Sequence, residues 1–342
     1  MLPLVSVIIP NWNGKKYLRA CIASLRKQTH NNLEIIVVDN ASQDGSVEFL
    51  QEKCPEIKVL KHAKNLGFGA ANNTGIGVAQ GKYIMMLNND TRLEPNCIEE
   101  LRKSIDKDKR FGACASKILL EHENNILDAA GMAICLDGLS IGRGRLESGD
   151  KYNEEEEVFF ASDCACLYKK EMLEDIGLTN EVYDEDFFAY ADETDMGWRA
   201  QLAGWKCIFN PEAVVYHHHS ASSSSYSAFK AYLVERNRIW VTVKNFPVSF
   251  FVLCFFYTMI RYVYQAIGTL TGKGAAGKFT KKANKPLLIY ILIKANVSAF
   301  IGLPKMLKKR REIMKKMRVS NRDLYLIIKR FGIGAKEIAM IE

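Results

Sequence analysis

Nine cysteines occur in the 342 residues, yet no two are spaced as CxxC. Cys164 and Cys166 stand two apart as neighbours on one strand face, a poor arrangement for zinc, so structural zinc sites and dithiol redox motifs drop out. An odd number of scattered thiols predicts reduced, buried cysteines in a cytosolic compartment. Gly67, Gly69, Gly75 and Gly77 form neither GxGxxG nor GxxxxGK[ST], which removes the phosphate-cradling signatures of dinucleotide and P-loop proteins. GxSxG is missing too, and no Cys–His pair stands out as a nucleophile. Met1 is followed by a strand pattern, without a charged segment and apolar core, so no cleaved signal peptide is expected. Long apolar runs are few. Phe246–Ile260 is broken by Pro247 and followed by Arg261, and Leu287–Pro304 contains Lys294. Both fall at or below the about 20 residues a spanning helix needs.

Acidic residues are scarce in the last third. Residues 227–342 hold 23 Lys/Arg against 5 Asp/Glu, whereas residues 1–226 hold 24 against 34. The net +8 thus conceals −10 and +18, which argues for two parts with different partners, 1–226 and 227–342, divided near Ser222–Ser225. The basic clusters 305–311 and 315–318 follow the second apolar run directly. That juxtaposition suits helices lying on an anionic membrane surface; the alternative is a helical domain with a solvated basic face. No finger, homeodomain or RNA-module signature accompanies the basic residues, so nucleic acid is not an expected partner.

What the first part has is alternation. Strands are predicted over 4–10, 33–39, Ile57–Leu60, Lys82–Leu87, Ala165–Lys169, Lys206–Phe209 and Ala213–Tyr216. Helices are predicted after Gly14, over 46–53, Ala70–Ala79, Lys170–Ile176 and Asp192–Ala203. Such alternation implies a mainly parallel sheet with helices on both faces, an α/β fold. Residues 111–160, with short strands, many glycines and the acidic run Glu154–Glu157, read as mobile and solvated. Several strands turn polar at their ends, at Asn11-Trp12-Asn13, Asp39-Asn40 and Asn88-Asn89-Asp90. Open α/β sheets bind ligands at the carboxyl ends of their strands, so these ends suggest one crevice.

Asp90 beside two amides can hold a hard divalent cation and leave room for phosphate, or it can close a turn; Asp39 has the same two readings. Of His217-His218-His219, only His217 and His219 can share a strand face, and one histidine could complete a cation's shell or bond at a domain edge. Asp192, Glu193 and Asp195 open a helix. The helix dipole favours acids there, but three within four residues exceed what a cap requires, and one could accept a proton from a hydroxyl.

In order, VSVIIPNWNG (5–14), EIIVVDNASQDGS (34–46), NLGFGAANNTGI (65–76), YIMMLNNDT (83–91), DEDFFAYADETDMGWRAQLAGW (184–205) and NPEAVVYHH (210–218) resemble the inverting nucleotide-sugar glycosyltransferases of family 2, in particular the rhamnosyltransferase-like branch. The resemblance covers roughly 4–245. It implies a GT-A (Rossmann-like) mixed, mainly parallel sheet flanked by helices, followed by a C-terminal helical membrane-associating extension. Pro10, Trp12 and Asp39 would then line the base pocket, Asn65, Gly69 and Asn72 would lie near the ribose and diphosphate, and Asn40, Asn88 and Asn89 would also bind the nucleotide sugar. Asn88, Asn89 and Asp90 match the family's DxD motif, with Asp90 and His217 holding Mg2+ or Mn2+. Asp192 and Glu193 stand at the base motif, Glu193 favoured by position, and Asp163, Trp198 and Arg199 would meet the acceptor. Two positions depart from the pattern: Asn88 replaces an aspartate, which lowers the charge on the metal, and Glu193 stands where aspartate is commonest.

The implied activity is transfer with inversion from a UDP- or dTDP-sugar, dTDP-rhamnose among them, to a glycan or polyprenyl-diphosphate-linked acceptor in cell-surface polysaccharide synthesis, at the inner face of the plasma membrane. A nucleotide-sugar-binding protein with impaired catalysis is the alternative. A nucleotidyltransferase would want a basic, glycine-rich loop after the first strand, which Pro10–Asn13 is not. Oligomeric state is not legible.

Overall fold

A computed structural model describes residues 2–218, 227–282 and 285–341. The chain divides into two compact units. The first comprises Met1–Met132, Gly142–Phe188 and Gly204–Ser222; the second comprises Ala133–Ile141, Ala189–Ala203 and Ser223–Glu342. The boundary expected at Ser222–Ser225 lies outside the described residues. Unlike the expected cut at 226, this division assigns the helix that begins at Asp192 to the second unit.

In chain order the elements up to residue 217 are β1 (Val5–Asn11), α1 (Lys15–Leu25), β2 (Leu33–Asp39), α2 (Ser46–Lys53), β3 (Lys58–Lys61), α3 (Phe68–Val78), β4 (Tyr83–Leu87), β5 (Thr91–Leu93), α4 (Cys97–Ile105), β6 (Phe111–Leu120), β7 (Leu127–Ala130), β8 (Met132–Ile134), β9 (Ser140–Gly142), β10 (Glu156–Val158), β11 (Ala165–Lys169), α5 (Lys170–Ile176), α6 (Asp192–Leu202) and β12 (Lys206–His217). The main sheet runs β10-β12-β6-β11-β4-β1-β2-β3, with β5 beside β12 and β7 beside β6. Its β4-β1-β2-β3 block is parallel, and β11 joins it antiparallel to β4. This is the mixed, helix-flanked α/β sheet the alternation predicts. β4 is an unbroken apolar run because both its faces are covered. In α1, Leu18, Cys21, Ile22 and Leu25 form the buried stripe at helical spacing.

Two expectations change. Residues 111–120, read as part of a solvated stretch, form a buried inner strand, β6, between β12 and β11. Its small residues (Gly112, Ala113, Ala115, Ser116) pass beneath helices, so it lacks the bulky alternation by which a strand is usually read. The two short strands expected near 206–216 are one strand, β12, with a register irregularity between Asn210 and Val214 that absorbs Pro211. All nine cysteines are free and buried, as expected; burial pushes the Cys21 thiol up to about 12.

The second unit continues with α7 (Ala228–Asn245), α8 (Phe251–Thr271), α9 (Gly274–Lys282), α10 (Lys285–Ile301), α11 (Leu303–Lys315), α12 (Asn321–Phe331) and α13 (Ala335–Met340). Pro247 precedes α8 and does not interrupt it, and the helix continues past Arg261. Val248–Thr271 is therefore long and apolar enough, by length and composition, to cross a membrane, contrary to the shorter run read from the sequence.

Candidate functional site

The ends of β1, β2 and β4 are tied together by amides. The β1–β2 register pairs Asn11 with Asp39. The Asn11 amide donates to Asp39 Oδ2 (2.9 Å) and to Ser42 Oγ (3.1 Å), and its Oδ1 accepts from the Asn89 amide (2.7 Å). The other Asp39 oxygen accepts from the Ser42 N–H (2.9 Å), so the carboxylate is held from two sides. Asn11, at the polar strand end between the expected Pro10 and Trp12, has no role assigned from the sequence; the structure makes it the link between Asp39 and Asn89. Its signal in the sequence was its place as the last residue of an apolar strand. Gly14 is required beside it, since a Cβ there would lie 2.0 Å from the Asn89 amide. Trp12 is 43% exposed at the same edge, and Pro10 is half-buried.

Beyond β2, the Asn40 amide donates to Gly67 O (3.0 Å), and its Oδ1 lies 2.7 Å from His62 Nδ1. Asn65 Oδ1 accepts from the Gly67 N–H (2.9 Å), closing the turn into α3. Gly69 and Asn72 are buried in α3, and the Asn72 amide donates to Phe68 O (3.2 Å). Asn88 enters through its backbone: its N–H donates to Cys164 O (2.9 Å), and its carbonyl accepts from the Thr91 hydroxyl (2.6 Å).

Asp90 and His217, far apart in sequence, meet because β5 pairs antiparallel with β12, Thr91 opposite His217. Asp90 Oδ1 lies 3.4 Å from His217 Nε2. His217 Nδ1 is 2.7 Å from Asp128 Oδ2, and Asp128 also pairs with Arg145. Asp128 is a residue the sequence reading missed. It sits on β7 at the register shift opposite Ile118 and Leu119, and such an irregularity re-aims a side chain. An aspartate inside the apolar run Leu127–Ala130 was the available signal. Nδ1–H donating to Asp128 leaves Nε2 as the ligating nitrogen, the carboxylate–histidine arrangement of metal sites. Burial opposes charge on His217, but Cys164, Asp128 and Asp90 outweigh it and hold the imidazole well above its ordinary value. A carboxylate oxygen and an imidazole nitrogen fit a divalent cation, and the imidazole suits a first-row transition ion better than Mg2+, which prefers oxygen throughout. Among the described residues no group of three or more His, Cys, Asp or Glu is arranged for a metal, so this is a two-residue set. His219 lies outside the described residues; His218 packs against Tyr17 at a tilt and against His122 edge-on.

In the second unit, α6 carries the acid cluster, and its three acids differ. Asp195 is fully buried: Oδ2 accepts from Arg199 Nε (2.9 Å), and Oδ1 accepts from Lys244 Nζ (2.8 Å) and the Asn245 amide (2.8 Å). That carboxylate holds α6 to α7. Asp192 is buried at the first turn, while Glu193 is half-buried. Burial raises the Glu193 carboxyl above its ordinary value, with its own backbone N–H pulling the other way. Before α6, Tyr190 (φ 67°) and Ala191 (φ 65°) adopt left-handed backbone. The Asn237 amide on α7 holds this turn by donating to Ala189 O (2.9 Å) and Tyr190 O (2.8 Å). Strain of this kind persists where surrounding structure enforces it.

The three residues expected at the acceptor are all buried. Trp198 packs on Phe246, and Arg199 is 2% exposed in its pair with Asp195. Asp163 accepts from the Tyr168 hydroxyl (2.6 Å). The structure gives these side chains packing and hydrogen-bonding partners inside the fold.

The family described as Glycosyl transferase family 2 matches over residues 6–177. Glycosyltransferase GlyG of Streptococcus pneumoniae serotype 4 is 31% identical over 216 residues, 61% of this chain and 68% of that protein. The putative glycosyltransferase EpsH of Bacillus subtilis is 32% identical over 130 residues, 37% of this chain and 38% of that protein. Chondroitin synthase of Escherichia coli is 37% identical over 111 residues, 30% of this chain but 16% of its own length. The matched region is thus less than half of these last two proteins. Among solved structures, GalNAc-T7 with UDP, GalNAc and Mn2+ shares the fold at TM-score 0.58 and 19% identity, over 71% of this chain and 48% of that one. The mannosyltransferase PcManGT of Pyrobaculum calidifontis with GDP-Man and Mn2+ does so at 0.54 and 16%, over 92% and 86%.

Proposed function

The chain belongs to glycosyltransferase family 2, and from that premise we propose that it moves a sugar, with inversion, from a UDP- or dTDP-sugar to a hydroxyl of a glycan or lipid-linked saccharide. The observation that carries the reading is the convergence, at the strand ends of the first unit, of the Asn89–Asn11–Asp39 chain with Asp90, His217 and Asp128. Asp39, fixed by Asn11 and Ser42, keeps lone pairs available to a pyrimidine ring N–H, and the exposed Trp12 offers an aromatic face beside it. Asp90 and His217 would hold Mn2+ or Mg2+, which supplies charge neutralisation for the leaving diphosphate. Asp128 keeps His217 in the ligating tautomer.

Glu193 is the base: it takes the proton of the acceptor hydroxyl as that oxygen attacks the anomeric carbon, and the sugar leaves its diphosphate from the opposite side. A carboxyl of raised proton affinity suits that task at neutral pH better than an ordinary one. Asp192, next to it, orients the acceptor. Asp163, Trp198 and Arg199 act on the acceptor through the fold around it. The second unit, with its excess of Lys/Arg, associates the enzyme with the inner face of an anionic membrane, where a polyprenyl-diphosphate-linked acceptor of envelope polysaccharide synthesis resides.

The test is donor hydrolysis and transfer by the full chain across UDP-, dTDP- and GDP-sugars, with Mn2+, Mg2+ or chelator. Turnover of one donor that stops with chelator and is restored better by Mn2+ supports the reading. Failure of every donor to bind would overturn it, and binding without transfer to any acceptor would favour the nucleotide-sugar-binding alternative.

A further inference from the structure

Two helices of the second unit turn their large apolar side chains outward. α8 buries a thin stripe, Cys254, Arg261 and Gly268, at seven-residue spacing. Phe255, Phe256, Met259, Val263 and Leu270 on the same helix are exposed. α10 buries Ile291, Ala295 and Ala299 and exposes Ile293, Val297 and Phe300. It is anchored to α7 on that inner side by Trp240 Nε1 donating to Ala299 O (3.0 Å) and by the Tyr232 and Ser298 hydroxyls (2.8 Å). A helix facing water has the reverse arrangement, and an apolar surface of this extent marks a site of contact.

The buried stripe of α8 decides between crossing a bilayer and lying on one. At 1.5 Å per residue, Val248–Thr271 spans about 36 Å, enough to cross. Arg261 stands near its middle and is 1% exposed. Its guanidinium pairs with Asp137 and with Glu235 (3.1 Å to Oε2). Arg238 donates to the same Glu235 (2.8 Å) and to the Asp137 carbonyl (3.3 Å), and the Tyr262 hydroxyl closes on Glu235. Two buried acids thus meet two buried arginines. Asp137 comes from a turn, with Gly138 at φ +91°, where a Cβ would lie 2.3 Å from Arg238 O. A crossing helix would put Arg261 at the bilayer centre together with this non-helical turn and the polar α7, whose groups hydrocarbon cannot satisfy. Lying flat, α8 keeps Arg261 toward protein and gives its other faces to lipid. Lys308, Arg311 and Lys315 of α11, exposed at spacings of three and four, share one helix face and supply charge for an anionic surface.

We propose that α8 lies in the plane of an anionic membrane surface as a monotopic seat, with the ion cluster of Arg261, Asp137, Glu235 and Arg238 holding it against protein so that it does not cross. This rests on the membrane partner proposed above and is independent of the transfer reaction.

Met259 and Leu270, eleven residues apart, fall on one helix face, about 16 Å apart along the axis. The full chain bearing Met259→Trp or Leu270→Trp is bound to vesicles of phosphatidylcholine with phosphatidylglycerol. Tryptophan quenching is then measured with lipids brominated at shallow or deep acyl positions, the unsubstituted chain supplying the background. In-plane seating gives both variants the same quenching, stronger from shallow bromines, and vesicle binding falls at least tenfold when phosphatidylglycerol is omitted. Deep quenching of Met259→Trp with little quenching of Leu270→Trp would mean a crossing helix and would overturn the seat while sparing the membrane partner. Absence of binding to any vesicle would overturn both, and a dimer mass in solution would then assign the face to a second copy of the chain. Donor hydrolysis on the same samples reports separately on the transferase reading.

Discussion

Glu193 and Asp195, two residues apart on α6, carry opposite burdens. Glu193 has its proton affinity raised by burial, so the folded chain binds that proton more tightly than the unfolded one. Stability therefore falls as pH rises from the ordinary carboxyl value of about 4.3 through the raised value and is flat above it, whereas a base works only above it. Glu193→Gln should lose transfer by at least about 100-fold while its melting temperature at pH 8 is unchanged or higher; unimpaired transfer would move the base role to Asp192. Asp195 instead compensates Arg199 and Lys244, both buried. Asp195→Ala should cost about 3–5 kcal/mol in denaturant unfolding, a loss no donor or acceptor can mask. Asp128 acts through His217, so Asp128→Ala should raise the Mn2+ concentration for half-maximal donor hydrolysis about 10–100-fold, with saturating metal recovering most of the rate. Asp90, Asp39 and His217 were visible as strand-end residues. Asn11 was visible there too, but not its hydrogen bonds to Asp39 and Asn89, and Asp128 was not visible, because an aspartate at a register shift looks from the sequence like an ordinary strand position.

Gly67 shows how one element depends on another. It stands at φ +94°, and a Cβ there would sit 2.2 Å from the Phe188 carbonyl, which also accepts the Phe68 N–H. Its own carbonyl accepts the Asn40 amide, so the start of α3 is pinned to the end of β2. Gly67→Ala should destabilise the chain by about 1–3 kcal/mol and weaken donor binding, measured by nucleotide titration together with thermal unfolding; unchanged donor affinity would detach this turn from the site. Strands with continuous apolar runs, β1, β2 and β4, were legible because burial on both faces imposes them. β6 was not, because its small residues owe their place to helices packed above them, and small residues have no periodicity of their own.

At the scale of the whole chain, charge asymmetry pointed to two parts, and the compact units divide the chain elsewhere than at residue 226. α6 belongs to the second unit and is held there by Lys244 and Asn245 of α7. A chain ending at 226 should therefore be destabilised and inactive even in detergent with soluble donor; full activity would show that α6 holds its place without α7. The sequence by itself determined the α/β class, the family, the polar strand ends and the basic character of the second part, because each is written in local pattern or composition. Tertiary structure alone decided that Asp128 backs His217, that Asp195 is an ion-pair partner inside α6 and α7, and that Arg261 is buried at the middle of an apolar helix. Those outcomes depend on strand register and on which residues desolvate one another, and neither is set by residues that are neighbours in the chain.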